Sequence, residues 1–170
     1  MNQIDTKFRG RVITVNVERV RLPNGENADY EIIHHPGGAA VVAIDDQQRV
    51  CLLRQYRPAA SGWVWELPAG RIEPNEPPAE TARRELVEEA GCEAEQWRDL
   101  GHILSSPGVF DERIYLYLAK GLRHVPQQHE LHEVLEVHWV DLQEAISRAL
   151  KGEITDSKTI VGLLRAGAAP

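Results

Sequence analysis

Between Arg11 and Leu22 the chain is rich in Val, Ile and Thr. Its polarity nearly alternates through Val12, Thr14, Asn16 and Glu18, the period of a half-exposed strand. Pro23-Asn24-Gly25 marks a turn, and Tyr30 to His34 reads as the returning strand of a hairpin. After Pro36-Gly37-Gly38, Ala39 to Ile44 is unbroken apolar sequence, the pattern of a strand covered on both faces. Asp45-Asp46 interrupts it, and Arg49 to Tyr56 continues as a further strand. Arg57 to Leu67, with Trp63 and Trp65, reads as a long loop ending at Pro68. A helix is expected to start near Pro77-Pro78, because proline suits a first turn. Its apolar stripe is Ala79, Ala82, Leu86 and Ala90, and Gly91 is its natural left-handed stop. Strands are expected over Asp99 to Leu104, Arg113 to Ala119 and Val134 to Val140. Two helices close the chain: Leu142 to Leu150 capped by Asp141, and Lys158 to Arg165 capped by Asp156 or Ser157. This order gives an α/β or α+β class, one domain with an N-terminal β extension.

Length and charge narrow the picture. A chain of 170 residues fits one domain with a sizeable core. Its net charge of −7 argues against a nucleic-acid binder working through a basic surface. A phosphorylated small substrate stays compatible, since bound metal ions invert a local field. Cys51 and Cys92 are the two cysteines; neither spacing nor number makes a disulfide framework, so reduced thiols and a cytoplasmic setting are expected. Met1 to Arg9 has no apolar signal core, and no apolar stretch reaches membrane-spanning length.

The chemistry concentrates between Gly70 and Cys92. Glu85, Glu88 and Glu89 fall at i, i+3 and i+4 and share one side of the expected helix. Three like charges there repel one another, and a divalent cation among them removes the repulsion. Oxygen-only donors suit hard ions, Mg²⁺ or Mn²⁺. A solvated acidic face is the plain alternative, but such a face does not need glycines and an arginine at fixed offsets.

The offsets are Gly70, five residues, Glu76, seven residues, then Arg84-Glu85-Leu86-Val87-Glu88-Glu89-Ala90-Gly91-Cys92. This resembles the signature of the Nudix hydrolases, G-x5-E-x7-R-E-U-x-E-E-x-G-U with U a bulky apolar residue. Its fixed positions are matched by Gly70, Glu76, Arg84, Glu85, Glu88, Glu89 and Gly91; Cys92 is the unusual choice at a U position. At background residue usage, chance agreement at one start point is on the order of 10⁻⁸. The resemblance implies the Nudix fold, a mixed β-sheet sandwiched between helices, here over residues 37–170, with residues 1–36 as an antiparallel extension used for dimerisation.

The resemblance also implies roles. Glu85 and Glu89, with the Ala69 backbone, would ligate the metal, with Glu88 a further catalytic carboxylate and Arg84 orienting the group. Glu76 would shape the loop or ligate through water. The catalytic base would be a loop glutamate before a late strand, which places it at Glu133 or at Glu130. His129, His132 and His138 do not have zinc-site spacing. Arg54-Gln55-Tyr56-Arg57, Glu66-Leu67-Pro68-Ala69-Gly70, Ser106-Pro107-Gly108 and Asp156-Ser157-Lys158-Thr159 are similar to segments of the ADP-ribose and nucleotide-sugar pyrophosphatase branch. That branch points to Arg57 on the substrate diphosphate, and to Glu66 and Glu112 on ribose hydroxyls or a water. Base recognition departs from the branch. The N-terminal stretch offers Arg11 and Tyr30, with Phe8 too early, while Trp63 and Trp65 precede the Glu66 segment; Tyr30 and Trp65 are the candidates for base contact. The implied function is Mg²⁺-dependent hydrolysis of ADP-ribose, or a related nucleoside diphosphate sugar, by a homodimer. A broad nucleotide-sugar or GDP-mannose pyrophosphatase is the nearer alternative, and a non-catalytic ligand-sensing module on the same fold the more distant one.

Overall fold

The structure, a computed structural model, describes residues 4–127 and 134–168. Among these residues ten strands and three α-helices follow one another as β1 (Ile4–Arg9), β2 (Thr14–Arg21), β3 (Asn27–His34), β4 (Gly38–Ala43), β5 (Arg49–Arg57), β6 (Gly62–Glu66), β7 (Ala69–Arg71), α1 (Pro78–Ala90), β8 (Cys92–Leu104), β9 (Arg113–His124), β10 (Leu135–Asp141), α2 (Leu142–Leu150) and α3 (Ser157–Gly167).

The strands form three sheets. β1-β2-β3 is an antiparallel N-terminal sheet. β7-β4-β9-β8 is mixed: β4 runs parallel to β9 from Gly38–Ile114 to Ala43–Ala119, and its other pairings are antiparallel. β10-β5-β6 is antiparallel.

Alternation within β4 explains the layers. Ala40, Val42 and Ile44 point to one core, shared with Leu142 and Ala145 of α2 and Leu163 of α3. Ala39, Val41 and Ala43 point to the opposite core, shared with Ala82, Leu86 and Ala90 of α1. β5 divides the same way, Val50 and Leu52 against Cys51 and Leu53. A strand with an apolar side chain on each face needs cover on both, so α1 lies on one side and α2 with α3 on the other. The expected sandwich is the observed one.

Four elements differ from the sequence expectation, among them β7, whose three residues are too few to show a period. The segment read as a loop from Arg57 to Leu67 contains β6, whose Trp63 and Trp65 pair with Tyr56 and Arg54 of β5. Alternating aromatics suit a strand, and the turn signals of Pro58 and Gly62 mask them. β1 was not expected; every residue in it is exposed, so it carries no burial period to read. β8 begins at Cys92 rather than Asp99, its register broken by a bulge between Asp99 and His102.

Candidate active site

α1 is placed by its ends. Pro77 and Pro78 open it, and Gly91, at φ +61°, closes it with its N–H returned to Leu86 and Val87 carbonyls. Its apolar stripe sits on the core, which turns the adjacent stripe of Thr81, Glu85 and Glu89 toward β7. Both carboxylates are buried, Glu85 at 7% exposure and Glu89 at 1%. Glu89 Oε2 accepts the Ala69 N–H at 2.7 Å. A side chain on Gly70 would place its Cβ 1.8 Å from Glu85 Oε1, so the missing side chain is what lets that carboxylate lie against β7.

Arg84 organises the acidic cluster. Its Nε and Nη2 donate to Glu76 Oε1 and Oε2 at 3.0 and 3.1 Å, a bidentate pair. Nη1 reaches Glu85 Oε1 at 2.6 Å and Glu88 Oε2 at 3.0 Å, and Nη2 also meets the Arg71 carbonyl. Glu76 further accepts from Thr81 Oγ1 and the Glu73 N–H. These bonds, Arg84 first, hold the Glu76 carboxyl down at about 2, and the same pair raises the Arg84 guanidinium above its ordinary value. Glu76 is therefore Arg84's principal partner, tying the loop before α1 to the helix.

A second charged cluster faces this one across a cavity of about 820 Å³. At the end of β5, Arg57 Nε and Nη2 donate to Glu66 Oε1 and Oε2 at 2.8 and 3.0 Å. Lys158 Nζ donates to Glu66 Oε2 at 2.6 Å and to Asp156 Oδ1 at 3.0 Å. Asp156 Oδ2 caps α3 through the Thr159 N–H and hydroxyl, and Thr159 Oγ1 accepts the Leu67 N–H. Glu66 is 3% exposed. Burial pushes its carboxyl up, but Arg57 and Lys158 outweigh burial and hold it below its ordinary value. The Arg57 guanidinium is raised in turn, first by its bonds to Glu66.

Arg57, Ala69, Arg84, Glu85, Glu88, Glu89 and Glu112 all line the one cavity. Glu112 meets His35 Nδ1 at 3.2 Å on its wall. Glu66 lies behind Arg57, outside the lining. Tyr30 is exposed on β3 and Trp65 packs edge-on to His138, with Arg148 over its ring; neither lines the cavity. Glu133 and Glu130, with His129 and His132, lie outside the described residues. Sequence reasoning passed over His35 and Arg71 as cavity residues, and gave Lys158 no role beyond its place in a branch-like segment. Lys158 sits inside a helix-cap pattern, which accounts for it locally and hides its partner 92 residues away.

The donor set suits a hard divalent cation: buried carboxylates of Glu85 and Glu89 on a polar cavity, in a cradle that a Cβ at residue 70 would fill. Among the described residues no three Asp, Glu, His or Cys groups converge as an ion's complete shell. Arg84 bridges Glu85 and Glu88, and the third expected donor is backbone.

The NUDIX domain model matches residues 34–161. The chain therefore belongs to the Nudix family, and it is a hydrolase. It is 38% identical over 163 residues to an ADP-ribose pyrophosphatase of Mycobacterium tuberculosis, covering 94% of this chain and 79% of that one. It is 38% identical over 154 residues to an ADP-ribose pyrophosphatase of Bacillus subtilis, covering 89% and 83%. A methanol dehydrogenase activator of Bacillus methanolicus is 40% identical over 158 residues, covering 92% and 85%. A crystal structure of an ADP compounds hydrolase shares the fold, with a TM-score of 0.82 at 22% identity, over 97% of this chain and 90% of that one. Among the described residues no helix is long and apolar enough to cross a membrane.

Proposed function

We propose that this protein hydrolyses the diphosphate bond of ADP-ribose to AMP and ribose 5-phosphate, with Mg²⁺, or Mn²⁺ in its place, held by Glu85, Glu89 and the Ala69 backbone. The observation that carries the reading is one cavity with buried carboxylates on one wall and Arg57, oriented by Glu66, on the other. Similarity to two ADP-ribose pyrophosphatases supports the choice of substrate. When bound, the cation supplies neutralisation of charge on the phosphate oxygens. Arg57 receives the diphosphate through the N–H groups not committed to Glu66. Glu112 accepts from a ribose hydroxyl. Arg84, bridging Glu85 and Glu88 through Nη1, keeps them aligned. Glu133 or Glu130 takes the proton of the attacking water as its oxygen bonds to phosphorus. The bridging P–O bond then breaks, its electron pair leaving with the second phosphate.

The N-terminal unit, residues 1–36, is read as the dimerisation element of a homodimer. β1 is exposed throughout, and Ile4, Phe8 and Tyr30 leave apolar surface on its sheet. Two buried, reduced cysteines support a cytoplasmic setting.

One observation favours a broader nucleotide-sugar or GDP-mannose pyrophosphatase: among the described residues the cavity has no Phe, Tyr or Trp to stack a base. A substrate panel decides. With ADP-ribose, ADP-glucose, GDP-mannose and UDP-glucose compared under Mg²⁺, the main reading predicts the highest kcat/KM for ADP-ribose. Comparable values for several sugars would move the assignment to the broad enzyme.

A further inference from the structure

We propose that His34, acting through Asp111, is a positioning residue for the Glu112–His35 wall of the cavity, and that it holds that wall only while its ring carries both protons. The inference rests on the reading of this cavity as the substrate site.

His34 is the last residue of β3. Its Nδ1 lies 2.6 Å from Asp111 Oδ2 and its Nε2 2.6 Å from Glu18 Oε1. Ionised carboxylates only accept, so both ring nitrogens must donate, which is the imidazolium form. The same Asp111 uses Oδ1 to accept the His35 backbone N–H at 2.9 Å. Around it the backbone closes a short parallel bridge: Ile33 N–H donates to the Val109 carbonyl at 2.7 Å, and Asp111 N–H to the Ile33 carbonyl at 3.1 Å. Two residues beyond the bridge pair Ile33 and Phe110 stand His35 and Glu112, which meet each other at the cavity. Phe110 packs against the His35 ring. The N-terminal sheet thus meets the cavity wall through this ring as well as through the backbone bridge.

The charged groups acting on that ring are Glu18 from β2 and Asp111 from the segment before β9; its strand neighbour on β2, Thr14, is neutral. Asn16 Nδ2 donates to Glu18 Oε1 at 3.1 Å and keeps it facing the ring. Hydrogen bonds to Glu18 and Asp111 raise the His34 pKa above its ordinary 6.5. A raised value means the latch is fully closed below the ordinary value and is lost as pH rises through the folded one. Once one nitrogen is a lone pair, its contact with a carboxylate turns repulsive and the junction loosens.

The test is an NMR titration of the full chain, wild type, Asp111→Asn and His34→Gln, with KM for ADP-ribose measured over the same pH range. The expected wild-type result is a His34 ring titrating above 6.5, with the His35 backbone amide, which donates to Asp111, shifting at the same midpoint. Exchange of the Ile33 and Asp111 amides should accelerate about tenfold beyond its intrinsic pH dependence. KM should rise severalfold through that midpoint with kcat changing less. Asp111→Asn should move the midpoint down, and His34→Gln should remove the step. A purely structural role would change melting temperature without a pH step in KM. A His34 ring titrating at or below its ordinary value overturns the proposal, as does a His35 backbone amide or a KM that shows no step at its midpoint. Failure to hydrolyse any diphosphate sugar would sink the functional reading separately; the ring and amide measurements on the free protein still decide the latch, and need no variant to fold.

Discussion

At the scale of single residues, the acidic cluster was legible because helix geometry fixes it: glutamates at i, i+3 and i+4 share a side whatever the rest of the fold does. What helical spacing does not carry is the counterpart on β7. The contact of Glu85 with a residue lacking Cβ makes Gly70→Ala an informative variant. We expect it to fold and to lose at least about tenfold in kcat/KM, because a Cβ 1.8 Å from Glu85 Oε1 displaces that carboxylate. Steady-state kinetics with a melting curve checks this, and full activity would contradict the cradle. Glu66 teaches the converse. In sequence it reads as a ribose or water ligand, yet both its oxygens face Arg57 and one also faces Lys158. Glu66→Gln is therefore expected to raise KM for the diphosphate about tenfold while kcat falls less, since Arg57 loses its charge-assisted second bond. A change confined to kcat would return Glu66 to the reacting atoms.

At the scale of elements, segments with a chemical punctuation mark were readable. α2 is capped where Asp141 predicts, its carboxylate accepting Gln143 and Glu144 N–H groups at 2.9 and 3.0 Å. Asp141→Ala should cost about 1 kcal/mol, read from the denaturant midpoint. α1 stops at Gly91, where φ is +61° and a Cβ would meet Gln127 Cγ at 2.7 Å and the Val125 carbonyl at 2.9 Å. Gly91→Ala should cost at least about 1–2 kcal/mol from the backbone alone; a neutral substitution would refute the argument for that stop. Elements without such marks escaped. β1 has no buried face, β7 is only Ala69–Arg71, and β6 hides its alternating tryptophans behind turn residues. Pairing partners far away in sequence define these strands, and a single sequence does not display partners.

At the scale of the whole molecule, charge links stability to pH. The Glu76 carboxyl is held at about 2 against an ordinary 4.5. A depressed value means its contribution is present above 4.5 and is lost as pH falls toward 2. Acid denaturation of Glu76→Gln should show a shallower loss of stability across that window than wild type, and an identical acid limb would remove Glu76 from the account. The layered core was legible in outline, from an unbroken apolar β4 followed by an amphipathic helix. The cavity was legible only in part, since Arg57, Glu66 and Lys158 converge from β5, β6 and α3. The measurement that tests the central claim most directly is hydrolysis of ADP-ribose in heavy-oxygen water, with both products weighed by mass spectrometry. It would be run with Mg²⁺, with a chelator, and with Glu89→Gln. The account predicts AMP and ribose 5-phosphate, one of them carrying a single heavy oxygen, formed only by the wild-type protein with Mg²⁺. Unlabelled products, undiminished turnover by Glu89→Gln or in chelator, or no cleavage at all would contradict it.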